Sequence, residues 1–452
     1  MMPRMKQILR WGGIVLATII CALLLALVIF RESGRRQVEA EIAKIRAAGE
    51  PVTWEELDRW YVEPPPGQNA AAIYTQAFAN LVDQKNATNL PVVGLANLPE
   101  LGEPLSAEMK AAIADCLQTN AAALELLHQA AGLHECRYPV DLLKGFATLL
   151  PHVPKARSAA RILTLQAISS AEEGRADQVL RALLDGLAVA SSFRQEPILI
   201  SRLAGITING LMVSGLEQSI NRVAFSDAQL EELMTALADA ERAPGMARTM
   251  AGDRASGSGM FERIRTGRLQ FQELFGEDYT QHRALLINSY RVGGRTEHEE
   301  TYYLRLMGDY LSAVRQPLQK RVPTAEAVSE RLDSIPRFYM LCQLLLPVWD
   351  LAIKKDVQCL AQLEVARTAL VVQRYRLANG KLPAALAELM PTYLEAVPVD
   401  PFDGQPLKFK PLAAGFVVYS IGRDSVDNGG RAKNDEGRQF QDGTDITFTV
   451  VR

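Results

Sequence analysis

The pattern of apolar and polar residues divides the chain into four stretches. Residues 1–10 form a short basic flank, and Trp11 to Phe30 follow without a charge. At about 1.5 Å per residue, a helix of this length crosses the ~30 Å hydrocarbon layer of a membrane. Residues 31–355 repeat apolar positions at helical spacing, and residues 356–452 change to a helix followed by strands.

The apolar stretch predicts an uncleaved signal anchor. A cleaved signal peptide has a shorter apolar core and small residues at its cleavage site, whereas this stretch runs directly into FRESGRR. Basic residues lie on both sides of it, so the positive-inside pattern is nearly balanced. Because large domains translocate largely regardless of loop charge, we expect the N-terminus inside and the bulk of the chain outside.

Residues 31–355 predict an all-α body. Thr53, Ser106 and Ser226 each precede a helical segment as N-caps. Residues 154–221 predict three long helices, and the first two, joined at Gly174, are weakly similar to a tetratricopeptide hairpin. A second copy at a period near 34 is absent from the sequence, so a repeat array is not predicted.

The pattern loosens between residues 242 and 300. The segments GDRASGSGMFERIRTGR and INSYRVGGRTEHEE are polar and rich in glycine, which is typical of loops between helices. The sequence HEE at His298–Glu300 is predicted to be a solvated run of charges.

The last stretch predicts a small α+β domain, residues 356–452. Its helix places Leu363, Ala366, Leu370 and Leu377 on one apolar stripe and ends at Asn379, before a glycine. Three segments rich in β-branched and aromatic residues, LKFK, FVVYSI and DITFTVV, predict an antiparallel sheet that covers this helix. The whole chain is therefore predicted to be mainly α, with a transmembrane helix of residues 11–30.

Composition and charge argue against nucleic-acid binding and against a fold held by disulfides or zinc. The net charge of −3 and the 7% of aromatic residues do not favour nucleic-acid binding. Five scattered cysteines form neither a disulfide framework nor a zinc ribbon, although a Cys116–Cys136 bridge stays open in an oxidising compartment.

Catalytic signatures are weak in this sequence. His128, His134, Glu135 and Cys136 carry zinc-ligand chemistry, but the two histidines are six residues apart and fall on different helical faces. The glycines around Ser258 lack the strand and the lysine of a phosphate loop. The sequence therefore favours a protein that is not an enzyme.

Several motifs in the C-terminal stretch occur together in a known order. They read YRLANGKLP, YLEAVPVDPFDGQPLKF, FVVYSIGRDSVDNGG and DGTDI. Across roughly ninety residues, this succession resembles the globular domain of the major pseudopilin of bacterial type II secretion. The helical remainder resembles membrane-anchored bacterial proteins that end in the same module.

That resemblance implies a structural calcium ion in the last loop. Its ligands would be the carbonyl oxygen of Ile421 and the carboxylates of Asp424, Asp442 and Asp445, with residues 427–428 as further donors. Aspartate and glycine that simply form turns are the alternative. An insert, RAKNDEGRQFQ, separates the two halves of the loop and departs from the family pattern.

The chain also lacks the N-terminal processing site and the glutamate of a pseudopilin, so polymerisation is not expected. We expect a single-pass protein of the bacterial inner membrane with its bulk in the periplasm, acting on other envelope proteins as a scaffold or interaction partner. The alternatives are a secretion-system component that docks with pseudopilins and a membrane-tethered enzyme with its site in the helical body.

Overall fold

The computed structural model describes residues 2–242, 245–268, 293–336, 338–346, 349–432 and 443–452. Its helices are α1 (Met2–Ala47), α2 (Trp54–Trp60), α3 (Ala71–Ala79), α4 (Ala107–Thr119), α5 (Ala121–Ala131), α6 (His152–Glu172), α7 (Ala176–Ser191), α8 (Leu199–Ile220), α9 (Asp227–Glu241), α10 (Gly245–Thr266), α11 (Arg295–Val314), α12 (Leu318–Ser329), α13 (Met340–Leu345) and α14 (Trp349–Asn379). The strands are β1 (Lys408–Pro411), β2 (Phe416–Ser420) and β3 (Ile446–Val450), and short 3₁₀ helices lie at Leu142–Ala147, Glu330–Ser334 and Leu386–Leu389. The prediction of a mainly α chain with one small sheet is confirmed.

Helix α1 is one continuous helix with two different environments. Its residues 11–30 are exposed and apolar along a length sufficient to cross a membrane, whereas Val38 and Ile45 are buried against the body. Helix α8 is also long and apolar, but half of it is buried inside the fold. The first half of α1 therefore stands free of the body, and the second half is part of it.

The body is built from helical hairpins whose ends follow the predicted caps. Thr53 and Ser226 close capping boxes, and the Ser106 hydroxyl accepts a hydrogen bond from the Met109 amide at 3.2 Å. Helices α6 and α7 form the predicted hairpin around Gly174, which has a φ of 75°. Helix α8 packs against both of them, so the three helices contact one another.

The prediction of loops is wrong for residues 252–266, which belong to α10, and for residues 295–300, which begin α11. The glycines of α10 mark close contacts between helices: a Cβ on Gly257 would lie 2.2 Å from the Tyr303 hydroxyl, and one on Gly259 would lie 2.2 Å from the Trp54 ring. Small residues here allow close approach of neighbouring elements rather than chain reversal. Residues 269–292, which belong to the same predicted loop region, lie outside the described part of the chain.

Two hydrophobic cores meet along α14. The first half of this helix, with Trp349 and Val357, packs among α10, α11, α12 and α13. The second half, with Leu363 and Leu370, packs among α8, α9 and the sheet. The predicted domain boundary at residue 356 lies inside this helix.

The sheet has the order β1-β2-β3 with both neighbours antiparallel, and it covers α14 as predicted. In β3, Ile446, Phe448 and Val450 are buried and alternate with half-buried threonines. Leu377, which was predicted to share the buried stripe of α14, is 48% exposed.

Side chains of α8 bind the outer edge of β3. The Glu217 carboxylate accepts a hydrogen bond from the Thr449 amide at 2.6 Å, and the Asn221 side-chain amide donates to the Thr449 carbonyl at 2.8 Å. The side-chain oxygen of Asn221, Oδ1, also accepts a hydrogen bond from the Val451 amide at 2.7 Å. The C-terminal sheet is thereby fixed to the helical body by polar contacts as well as by its core.

Two leucines on α14 provide a matched test of this packing. We expect Leu370→Ala to lower the free energy of unfolding by about 2–5 kcal/mol, because it leaves a cavity in the core. Leu377→Ala should change it by about 0.5 kcal/mol or less, since that side chain is half exposed. Urea unfolding of the detergent-solubilised chain, followed by circular dichroism, measures both; equal losses in the two variants would contradict the packing described.

Candidate functional site

A cavity of about 800 Å³ opens where the helical body meets the segment 393–401. Its walls come from α8, α9, α10, α11, α12 and α14, which pack around the junction of the two cores. Apolar side chains alternate with charged ones along these walls. The charged lining residues include Arg202, Glu241, Arg321, Asp356, Glu364 and Arg367.

One end of the cavity holds two guanidinium groups and one carboxylate. Arg202 of α8 donates from Nε and Nη2 to Asp356 Oδ1 at 3.0 and 2.5 Å. Arg321 of α12 places Nη1 3.9 Å from the other oxygen of Asp356. Because Asp356 is buried and shared by two cations, this end of the cavity carries an excess of positive charge.

The other end holds two carboxylates and one guanidinium group. Arg367 Nη2 lies 3.4 Å from Glu241 Oε2 and also pairs with Glu364. Burial, followed by repulsion from Glu364, raises the pKa of Glu241 to about 8. Among the described residues, no group donates a hydrogen bond to Glu241 Oε1. The Glu241 carboxyl therefore keeps its proton to a higher pH than an exposed carboxyl does.

This arrangement is suited to binding and to acid–base chemistry. Its volume lies within the range of small-molecule sites. A carboxyl group whose pKa is close to neutral can both give and accept a proton, which is what a general acid–base catalyst needs. Buried ion-pair networks shift pKa values in the same way without any catalysis. The raised pKa of Glu241 beside Glu364 therefore does not define a reaction.

The predicted calcium ligands lie on the loop after β2 and at the start of β3. Ile421 is buried directly after the strand, and Asp424 and Asp445 lie on the two arms of the loop. Asp442 lies outside the described residues, as do residues 433–441 of the insert. The structure therefore places three of the four predicted ligands and says nothing of the fourth.

Backbone amides already occupy the carboxylates of this loop. Asp424 accepts hydrogen bonds from the Val426 amide at 3.1 Å and the Gly443 amide at 2.7 Å. Asp445 accepts from the amides of Asn428, Gly430 and Arg431 at 2.7 to 3.1 Å. These bonds hold the two arms together in the way that aspartate-based turns do.

Calcium would need further oxygen atoms from the same place. The ion takes six to eight oxygens; Asp445 Oδ2 already accepts two amide bonds, whereas Asp445 Oδ1 and Asp424 Oδ1 each accept one and keep a lone pair that could coordinate it. Among the described residues, no group of three or more histidine, cysteine or acidic side chains converges. Calcium binding at Ile421, Asp424, Asp442 and Asp445 therefore stays a prediction.

The other sequence candidates are separated in space. His128 lies 3.3 Å from the Asp185 carboxylate, whereas His134 is exposed and Cys136 is buried. Cys116 and Cys136 are free thiols in this structure, without a bridge between them.

Buried carboxylates on α11 were missed by the sequence analysis. The prediction of a solvated charge run at His298–Glu300 is wrong, because Glu299 and Glu300 are buried. Glu299 accepts a hydrogen bond from the Cys342 amide and Glu300 accepts one from the Ser258 hydroxyl, both at 2.8 Å. Burial raises the pKa of each to about 7. Once a helix is placed over Arg295–Val314, its period puts these residues on the inner face, but the sequence signal for that helix was weak.

A second buried network lies between α6 and α8. His152 Nε2 is 3.0 Å from the Glu196 carboxylate, which also accepts a hydrogen bond from the Ser201 hydroxyl at 2.5 Å. The imidazole is stacked on the Tyr138 ring with centroids 4.1 Å apart. All three polar side chains are buried, so the network links elements of the core rather than facing a substrate.

Comparisons of the chain with protein-family profiles, curated proteins and solved structures found no match. The resemblance of the C-terminal module to pseudopilins therefore stays a prediction, carried by the quoted motifs alone.

The raised pKa of Glu241 predicts a loss of stability as the pH increases. In the unfolded chain this carboxyl ionises near pH 4.5, so the folded state holds an additional proton between about pH 4.5 and 8. Its contribution to stability is complete below that window and is lost as the pH rises through 8. We expect Glu241→Gln to reduce the fall in unfolding free energy between pH 5 and 8.

The control is Glu232→Gln on the exposed face of the same helix, which should leave this pH dependence unchanged. Urea unfolding at a series of pH values measures all three proteins. If the unfolding free energy falls equally with pH in the wild type and in Glu241→Gln, the raised pKa of Glu241 is contradicted.

Proposed function

We propose that this chain is a membrane-anchored protein whose helical body and C-terminal module act as a platform for other envelope proteins. The observation that supports it is the division of α1 into an exposed apolar half and a half that packs into the body. Exposure of so many apolar side chains to water would be strongly unfavourable. A lipid bilayer is the environment in which residues 11–30 are stable.

The connection between anchor and body is stiff. Helix α1 continues without a break from the apolar stretch into its packed half, where Arg305 Nε donates to Glu41 Oε1 at 2.9 Å. An anchor of this kind holds the body at a fixed height and orientation above the lipid. Such positioning suits a scaffold or an interaction partner better than a diffusing enzyme.

The proposed setting is the bacterial inner membrane, with the body on the periplasmic side. This orientation is supported by the resemblance of residues 356–452 to an exported module and by the weak effect of loop charge on large domains. Partners are other proteins of the envelope.

Insertion of α1 can be tested with a double substitution and a matched control. Arginine at the centre of a span costs about 2.5–3.5 kcal/mol of insertion free energy. We expect the wild type to float with membranes after an alkaline wash, and Ile20→Arg combined with Leu24→Arg to be released. Ile200→Arg on the exposed face of α8 should float as the wild type does.

The mass of the floated chain distinguishes an anchor from a cleaved signal sequence. The full mass is expected, because no cleavage site follows the apolar stretch. A floated fraction lacking residues 1–30, or a wild type released by the wash, would contradict the anchor.

The second proposal concerns calcium in the C-terminal module. A ligand that binds only the folded state at a hundredfold excess over its dissociation constant stabilises it by about 2.7 kcal/mol. We expect the full chain to gain stability in millimolar calcium relative to chelator, and Asp424→Asn to lose that gain.

Asp403→Asn is the matched control, because Asp403 is exposed and accepts a hydrogen bond from the Gln405 amide at 2.8 Å in an ordinary turn. It should keep the calcium response. A wild type that unfolds identically with calcium and with chelator would leave the loop as turns only.

Docking to true pseudopilins is the narrower form of the same proposal. It rests on likeness of a module alone, which is weak support for function. Failure of the full chain to bind any pseudopilin would remove it and leave the anchored platform in place.

A further inference from the structure

A second apolar surface lies beside the end of the anchor. Phe338, Met340 and Leu344 are 52%, 42% and 53% exposed, and we call these three residues the juxtamembrane patch. Met340 and Leu344 are four residues apart on α13, so they share one face of that helix. Single exposed apolar residues are common on protein surfaces. What distinguishes these three residues is their position relative to the end of the anchor.

The contacts between α1 and α11 give that location. A Cβ on Gly294 would lie 3.0 Å from Arg31 Cβ, and Arg305 Nε lies 2.9 Å from Glu41. The interval from Arg31 to Glu41 on α1 therefore lies beside the interval from Gly294 to Arg305, which continues into α11. The two helices run parallel with nearly equal rise between these contacts. The N-terminal end of α11 consequently lies level with the last residues of the apolar stretch.

A histidine joins the two helices at this level. His298 Nε2 donates to the Phe30 carbonyl at 3.0 Å, and the two rings are 4.0 Å apart between centroids. Phe30 is the last apolar residue of the span, so His298 marks the edge of the hydrocarbon layer. Arg295, almost one turn earlier on α11, lies on the membrane side of this contact.

The patch is joined to that end of α11. The Arg295 guanidinium lies 5.5 Å from the centroid of the Phe338 ring, and the Cys342 amide of α13 donates to Glu299 at 2.8 Å. Phe338 therefore lies beside the first turn of α11, which is the end of that helix nearest the span, and α13 follows along α11. An aromatic ring with an arginine is a typical pair at a membrane–water interface.

The charges at the end of the span suit a lipid surface. Arg31, Arg35 and Arg36 follow the span and are exposed; Arg35 and Arg36 pair with Glu32, and their exposed guanidinium groups can also approach lipid phosphates. Exposed apolar side chains flanked by basic residues bind the boundary between headgroups and acyl chains.

We propose that the juxtamembrane patch lies in the interfacial layer of the membrane that α1 spans, so that the body rests on the lipid. This inference depends on the proposed anchor, and it adds a second contact that fixes the rotation of the body about α1. The occupant of the patch is lipid and not a protein partner, because the patch is continuous with the anchored end of the molecule.

Site-specific labels in the reconstituted full chain test the proposal. In a Cys21→Ser background the remaining described cysteines are buried, so Phe338→Cys and Leu344→Cys can each be labelled with an environment-sensitive fluorophore. In phosphatidylglycerol and phosphatidylethanolamine vesicles, we expect both labels to emit at shorter wavelength and to be quenched by lipids brominated near the headgroup.

Val62→Cys is the matched control. Val62 is 71% exposed and lies close to Trp60, whose ring packs 3.9 Å from the Arg248 guanidinium. Helix α10 runs antiparallel to α11, with Ser258 bonded to Glu300 and Asp253 to Tyr303, so Arg248 lies toward the end far from the membrane. The label on this variant should behave as in water.

The outcomes separate the two proposals. Labels at Phe338 and Leu344 that match the Val62 label, in protein that floats with the vesicles, would overturn the patch and leave the anchor intact. Protein that does not float would overturn both. Strong quenching at the patch and none at Val62 would support the lipid contact.

Discussion

One continuous helix, α14, is the element on which the rest of the structure depends. Its first half is buried in one hydrophobic core and its second half in the other. A helix cannot bend sharply without losing backbone hydrogen bonds, so the two cores are held in one relative orientation. The paired Arg202 and Asp356 lie where the cores meet, and Asp356, Glu364 and Arg367 of this same helix line the cavity beside them. The cavity and the fixed position of the sheet thus have a common origin.

Local signals in the sequence predicted much of this architecture. Caps such as Ser226 and the glycine after Asn379 set helix ends through local bonds and backbone conformation. These signals can be read from the sequence because they need no tertiary contact. The prediction failed for α10, where Gly257 and Gly259 permit contact with aromatic rings from other elements. It also failed for Leu377, whose helical period matches the buried stripe although its side chain is half exposed. Burial at these positions depends on elements that are distant in sequence, which a local pattern does not contain.

The candidate sites show the same limit. The charged residues of the cavity come from four helices, and only the packing of those helices brings Glu241 beside Glu364. For the C-terminal loop, the residue types were informative but ambiguous, because aspartate accepts backbone amide bonds and coordinates cations with the same oxygens. Asp445 accepts three amide bonds. The buried pair Glu299 and Glu300 could not be separated from a surface charge run without first placing α11.

The polar contacts between α8 and β3 have a consequence for how the C-terminal module can be recognised. An open strand edge invites another chain to pair with it, but Glu217 and Asn221 already use the edge groups of Thr449. At the opposite edge, β1 carries two lysines and ends at Pro411, residues that disfavour strand pairing. Neither border of the sheet is therefore suited to accept a β-strand from a partner. A protein that binds this module would have to recognise the shape and charge of its face instead of extending its sheet.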